Sequence, residues 1–134
     1  GIRNLTVTGV QTCALPICYA RLRERLVPYL AAAAAAAVST DRPLMRPLFF
    51  EWPDDAAVWS APTQWLLGDD LLVAPVLAPG LERSDVYLPP GTWHDVWTGE
   101  ILEGGRPVSV PVPFDRIPVF TRDASLVALF TEDR

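Results

Sequence analysis

Five carboxylates stand close enough along the chain to work in pairs: Glu51 with Asp54 or Asp55, and Asp69 with Asp70. Two such groups in unlike environments can divide acid, base and nucleophile roles, because burial raises the pKa of one while the other stays ionised. Local context assigns most of these residues elsewhere. Asp69-Asp70 follows Gly68 between two apolar runs, which is turn chemistry. Asp54 and Asp55 precede Ala56-Ala57-Val58-Trp59, where acids accept from the free N–H groups of a helix start. Glu51, at the end of the apolar run Leu44–Phe50, is the carboxylate left as a candidate for touching a substrate. Arg46 lies inside that run and needs a carboxylate partner if buried; an ion pair is the expected use, substrate contact the other candidate. The single histidine, His94, cannot build a metal site with Cys13 and Cys18, since about four ligands are required. A Cys13–Cys18 disulfide would close too short a loop to contribute much. Ser84, His94 and Asp95 do not form a nucleophile elbow.

The elements that must carry these residues follow from composition and spacing. The 134 residues include 16 acidic and 11 basic side chains, all 11 of them Arg, for a net charge of −5. A negative chain with scattered Arg excludes nucleic acid and a polybasic membrane patch as partners. Fourteen prolines argue against long helices beyond the first third, since a proline inside a helix breaks its ladder. Arg21–Arg25 followed by Leu26–Val38 imitates a signal peptide, but those 13 apolar residues fall short of the ~20 a membrane span needs. Leu22, Leu26, Tyr29 and Leu30 recur at helical spacing, with Arg21, Glu24 and Arg25 on the other face. A helix over Tyr19–Val38 is therefore predicted, kinked at Pro28. Gly1–Cys18 contains one charge and no period; it resembles translated sequencing-adapter text and is read as foreign. The missing initial Met fits a truncated reading frame. Nothing argues for secretion, which favours a bacterial cytoplasm.

Leu44–Phe50, apolar without alternation, reads as a strand buried on both faces in a parallel sheet. A short helix over Ala56–Trp59 follows. Beyond Pro62 the texture is all-β. Apolar runs flank Gly68-Asp69-Asp70, and Val86–Leu88 and Thr92–Trp97 flank a turn at Pro89-Pro90-Gly91. Further turns are expected at Thr98–Glu100 and Glu103–Gly105, and further strands at Val108–Val112, Ile117–Thr121 and Ser125–Phe130. Short strands at this spacing indicate a sandwich. Trp93 and Trp97 share a strand face with Asp95, which suits packing between sheets or stacking on a sugar ring.

Tyr19–Leu30 and Arg42–Asp55 resemble the C-terminal end of a glycoside hydrolase family 31 barrel. Gln64–Leu77 and Val86–Gly99 look like its following β-sandwich, and Pro118–Arg122 is similar to the segment that closes it. The alanine run, Ser39-Thr40-Asp41 and Thr63-Gln64-Trp65 depart from the family pattern. The resemblance implies retaining hydrolysis of α-linked glycosides, with an α-linked oligosaccharide as partner and no cofactor or metal. Such hydrolysis needs two carboxylates about 5–5.5 Å apart. The family's catalytic pair and sugar-contacting histidine lie upstream of Tyr19, so no catalytic residue is carried over. The expected architecture is mixed: the C-terminal piece of a (β/α)8 barrel over residues 19–63, then an all-β sandwich over 64–134. The sandwich would fold alone, and the barrel piece would dock on it or leave its apolar faces open.

Overall fold

The computed structural model describes residues 15–131. Helix α1 (Leu15–Thr40) contains the predicted helix and starts earlier. Residues 1–14 of the segment read as foreign lie outside the described residues; Leu15–Cys18 belong to α1, and Cys18 is disulfide-bonded. Leu22 and Leu26 are buried, Tyr29 and Leu30 half-buried, while Arg21 and Glu24 remain exposed. This is the outcome the i, i+4, i+7, i+8 stripe requires. Arg25 leaves the polar face far enough for its Nε to donate to the Leu129 carbonyl at 2.7 Å.

Eight short strands follow: β1 (Met45–Pro47), β2 (Trp65–Leu67), β3 (Leu71–Val73), β4 (Arg83–Leu88), β5 (Thr92–Asp95), β6 (Ile101–Glu103), β7 (Arg106–Pro111) and β8 (Val119–Thr121). Six form one sheet in the order β1-β2-β3-β8-β5-β6, and β4 pairs with β7 in a second. Every pairing among the described strands is antiparallel. Successive side chains in the central strands alternate between two cores, as a period of two demands. Leu66, Leu72, Trp93 and Phe120 meet Val86, Leu88 and Val110 of the small sheet. Leu71, Val96 and Val119 face the other way, onto Leu22 and Leu26 of α1 and onto Leu126 and Phe130. The large sheet is thus covered on both faces, by a second sheet on one side and helices on the other.

That two-sided cover explains several departures from expectation. Leu44–Phe50 is not a parallel strand: only Met45–Pro47 is extended, at the antiparallel edge beside β2, and Leu48–Glu51 coils into the short helix α2. Pro47 has no N–H for the ladder and stands at the N-cap of that helix. Double burial here comes from helices and strands of one β domain, so an unbroken apolar run does not require a parallel sheet. Ser125–Phe130 is helical, as a 3-10 turn (Ala124–Leu126) followed by α3 (Val127–Thr131). The Asp123 carboxylate caps the turn by accepting from Ser125 N at 2.9 Å, and the buried Leu126 and Phe130 sit four apart. Pro89-Pro90-Gly91 is no hairpin but a crossover, because β4 and β5 belong to different sheets. The helix predicted at Ala56–Trp59 is a 3-10 helix (Ala56–Ser60) capped by Asp55, whose Oδ1 accepts from Ala57 N at 3.0 Å.

The line drawn between residues 63 and 64 is crossed by a strand pair. β1 and β2 pair across it, Arg46 opposite Leu66, and α1 is seated on the sheet. Its apolar stripe docks, while Val27 and Val38 on its outer side stay 50% and 83% exposed. The seat is made at Gly68, whose φ of +68° suits glycine. A Cβ there would lie 2.3 Å from the Tyr29 hydroxyl and 3.2 Å from Ala33 Cβ. Gly80, at φ +74°, has open space around it. Gly68→Ala should therefore lower the urea midpoint clearly more than Gly80→Ala, which carries only the backbone strain of about 1–3 kcal/mol. Adding Tyr29→Phe should close part of the gap; equal losses in the two alanine variants would contradict this seating.

Candidate functional site

The acidic turn after β2 is where the chain's charged groups converge. Arg46, 3% exposed, sends Nη2 to the Gly68 carbonyl at 3.0 Å and to Asp69 Oδ1 at 2.6 Å. Its Nη1 donates to the Pro43 carbonyl at 2.9 Å and its Nε to Glu51 Oε1 at 2.7 Å. Arg42 adds a second cation to the same Glu51 oxygen. The planar guanidinium suits four acceptors around one plane, as a lysine ammonium would not. All three of its nitrogens are committed, so Arg46 forms the expected ion pair, within the β domain rather than a barrel. Glu51 is the partner in that pair. We propose a structural role for both, in place of substrate contact.

Arg122, just past β8, grips the turn from the opposite side. Its N–H donates to the Asp70 carbonyl at 3.0 Å, and its Nη2 donates to the Asp69 carbonyl. The guanidinium lies over the rings of Trp52 and Trp93, 5.7 and 5.6 Å from their centroids, a cation–π arrangement. Tyr29 completes the turn's partners, donating to the Leu67 carbonyl at 2.8 Å and accepting from Asp70 N at 3.2 Å. Burial pushes the Asp70 carboxyl above its ordinary range; Arg122 opposes this, and Asp123 and Asp69 add to it. Burial likewise raises the Tyr29 phenol, the Asp70 N–H hydrogen bond acting against it.

Sequence reading missed Tyr29, Arg122 and Gln64 as structural anchors. The buried Gln64 bonds the Tyr87 backbone twice, Nε2 to the carbonyl at 2.8 Å and Oε1 from the N–H at 3.0 Å. Asp55 accepts from the Tyr87 hydroxyl at 2.5 Å; burial first, then this hydrogen bond and the Asp55 charge, push that phenol up to about 12. Asp54 is exposed, and His94 half-buried. Among the described residues no group of three or more His, Cys, Asp or Glu could hold a metal. No described helix is long and apolar enough to cross a membrane.

Trp93 and Trp97 do not share a face. Trp93 is fully buried between the sheets and donates Nε1 to the Pro89 carbonyl at 2.7 Å. After Asp95 the strand gives way to a turn, since Asp95 Oδ1 accepts from the N–H groups of both Trp97 and Thr98, at 2.7 and 3.1 Å. Alternation stops there, and Trp97 packs with the α1 core, its ring 5.4 Å from Phe130 edge to face. Its exposed part lines an open cleft of about 420 Å³ with Asp95, Glu82, Phe114 and Arg116.

Residues 41–127 match the Glycosyl hydrolase family 31 C-terminal domain. The chain belongs to glycosyl hydrolase family 31. It is 52% identical over 104 residues to the 1,3-alpha-isomaltosidase of Kribbella flavida, covering 78% of this chain and 14% of that one. Alpha-glucosidase 2 of Bacillus thermoamyloliquefaciens is 40% identical over 111 residues, 83% of this chain and 14% of its own. Among solved structures, a soil-metagenome GH31 alpha-xylosidase complexed with xylose superposes with a TM-score of 0.81 at 42% identity, covering 92% of this chain and 18% of that one. A Kfla1895 mutant complexed with isomaltose gives 0.83 at 48% identity, covering 87% and 17%. This family 31 chain therefore spans about one-seventh of the length of the curated relatives it matches.

The anchoring network makes two measurable statements. Arg46→Ala should cost at least about 2 kcal/mol in denaturant unfolding, because the Pro43 and Gly68 carbonyls lose their buried donor. Asp69→Ala, whose side chain is 63% exposed, should cost no more than about 1 kcal/mol. Near-equal losses would show that the Arg46 network is not what holds the turn. Second, Tyr19, Tyr29 and Tyr87 all have phenols raised from 10.0. Above pH 10 the folded chain then holds more protons than the unfolded one, so stability is present below pH 10 and lost as pH rises toward the folded values. Melting curves across that range should fall with pH, and less steeply in Tyr87→Phe.

Proposed function

We propose that the protein to which this chain belongs is a retaining α-glycosidase acting on terminal α-glucosidic or α-xylosidic bonds, and that the chain is its C-terminal part. The observation that carries this is the 40–52% identity, over about four-fifths of the chain, to enzymes named isomaltosidase, alpha-glucosidase and alpha-xylosidase. In this reading α1 is the last helix of the (β/α)8 catalytic barrel, and the β domain begins after Thr40. The match that starts at residue 41 and the β1–β2 pairing support that placement. The outer face of α1, with Val27, Val38 and exposed alanines, would meet the neighbouring barrel helices. Three of the candidate carboxylates are committed to other work: Glu51 and Asp69 neutralise Arg46, and Asp55 caps a 3-10 turn. Nucleophile and acid/base would come from upstream, and the chemistry would be double displacement through a glycosyl–enzyme ester.

The chain's own contribution is rigidity. Tyr29, Leu22 and Leu26 hold α1 against a sheet that cannot slide, because the 68–70 turn is bonded from three sides. Positioning of this kind matters, since displacements of about 1 Å in an active site can cost two orders of magnitude in rate. Purified chain incubated with aryl α-glucosides and α-xylosides should release no product above the buffer rate. The protein extended upstream should release product, with the first-formed sugar in the α configuration by NMR. Turnover by the chain alone that vanished in Glu51→Gln would overturn the assignment and make Glu51 catalytic.

A further inference from the structure

We propose that the cleft beside Trp97 is a sugar-binding site that takes one or two residues of an α-linked glucan. The identity of the ligand rests on the glycosidase reading; the existence of the site rests on the cleft. A sugar ring presents an apolar C–H face and a rim of hydroxyls, so its site needs an aromatic surface flanked by charged acceptors and donors. The cleft supplies both. Phe114 is 96% exposed at the apex of a turn closed by Arg116 N to the Pro113 carbonyl at 3.3 Å. Its ring offers the apolar surface against which the C–H face of a sugar packs. Two residues on, at the end of the same turn, Arg116 lies over the Trp97 ring with its guanidinium carbon 5.9 Å from the centroid.

The floor is fixed before any ligand arrives. Trp97 Nε1 donates to the Ile117 carbonyl at 2.7 Å and the ring abuts Phe130. Pro111, Pro113 and Pro118 stiffen the wall, and their locked φ reduces the ordering cost of binding. Asp95 Oδ1 is occupied by two backbone N–H groups, which leaves Oδ2 for a hydroxyl, and Glu82 adds a second carboxylate at the rim. A volume of about 420 Å³ lies within the roughly 300–1,000 Å³ of small-molecule sites. The opening is wide, so the site suits retention of a polymeric substrate better than capture of a free monosaccharide.

The test is titration of the full chain with isomaltose, maltose and xylose, by calorimetry and by following the Trp97 indole N–H in NMR. Saturable binding is expected for the two disaccharides, weakened at least fivefold in Phe114→Ala and in Glu82→Ala. Trp59→Ala, an exposed aromatic outside the cleft, should bind as the parent chain does. Phe114 and Glu82 are exposed, so their variants should keep the parent's circular dichroism. Binding that survives both cleft substitutions overturns the proposal, as does an unmoved Trp97 resonance at the highest soluble sugar concentration. An active upstream-extended enzyme whose C-terminal chain binds no sugar rejects the cleft and keeps the glycosidase. A chain that binds in this cleft beside an extended protein without turnover does the reverse.

Discussion

A guanidinium removed from water must find its hydrogen bonds in the protein, and Arg46 finds them at places far apart in sequence. Its acceptors are Pro43, Glu51, Gly68 and Asp69. Satisfying it pins the loop before β1, the end of α2 and the turn between β2 and β3 to one another. The turn is then bonded again by Arg122 from β8 and by Tyr29 from α1. Loss of the buried cation would leave these contacts competing with water one at a time. Cooperativity among them is why a three-residue turn can set the position of a 26-residue helix.

The same turn explains how the two cores stay in register. Leu66 and Leu67 leave for opposite sides of the sheet, one toward the β4–β7 layer and one toward α1. Sliding β2 by one residue would exchange those faces. Leu44 O accepts from Gly68 N at 2.8 Å, and the Arg46 bonds sit beside it, so slippage would break charged and uncharged bonds together. On the far edge, Gly104 N donates to the Gly91 carbonyl at 2.7 Å. A Cβ at Gly104 would stand 1.9 Å from the Pro89 carbonyl oxygen. The crossover between the sheets thus closes on backbone, with no room for a side chain.

For the family, this architecture divides labour. The β domain uses Arg46 and Arg122 as internal ties, and it exposes aromatic surface at the stacked Phe49–Trp59 pair and the Phe114 turn. Relatives sharing this domain bear the names of enzymes for different sugars. A rigid β domain common to all of them is compatible with specificity set elsewhere, because function resides in sites grafted on folds.

What the sequence determined by itself was local. The α1 stripe, the 68–70 turn, the Asp55 cap and the need of Arg46 for a carboxylate follow from side-chain period, turn chemistry and the cost of burying charge, and they hold within a few residues. The family, too, was readable from short motifs in order. What only the tertiary structure decided was pairing. An apolar run such as Leu44–Phe50 is the same string whether a parallel sheet or two unlike layers cover it. Ser125–Phe130 satisfies strand and helix periods over so short a span, and the Asp123 cap with the pocket for Leu126 and Phe130 settles it. Trp93 and Trp97 separate because an aspartate turn interrupts the strand between them. Whether Asp69 faces water or a guanidinium likewise depends on residues more than twenty positions away, and periodicity carries no information over that distance.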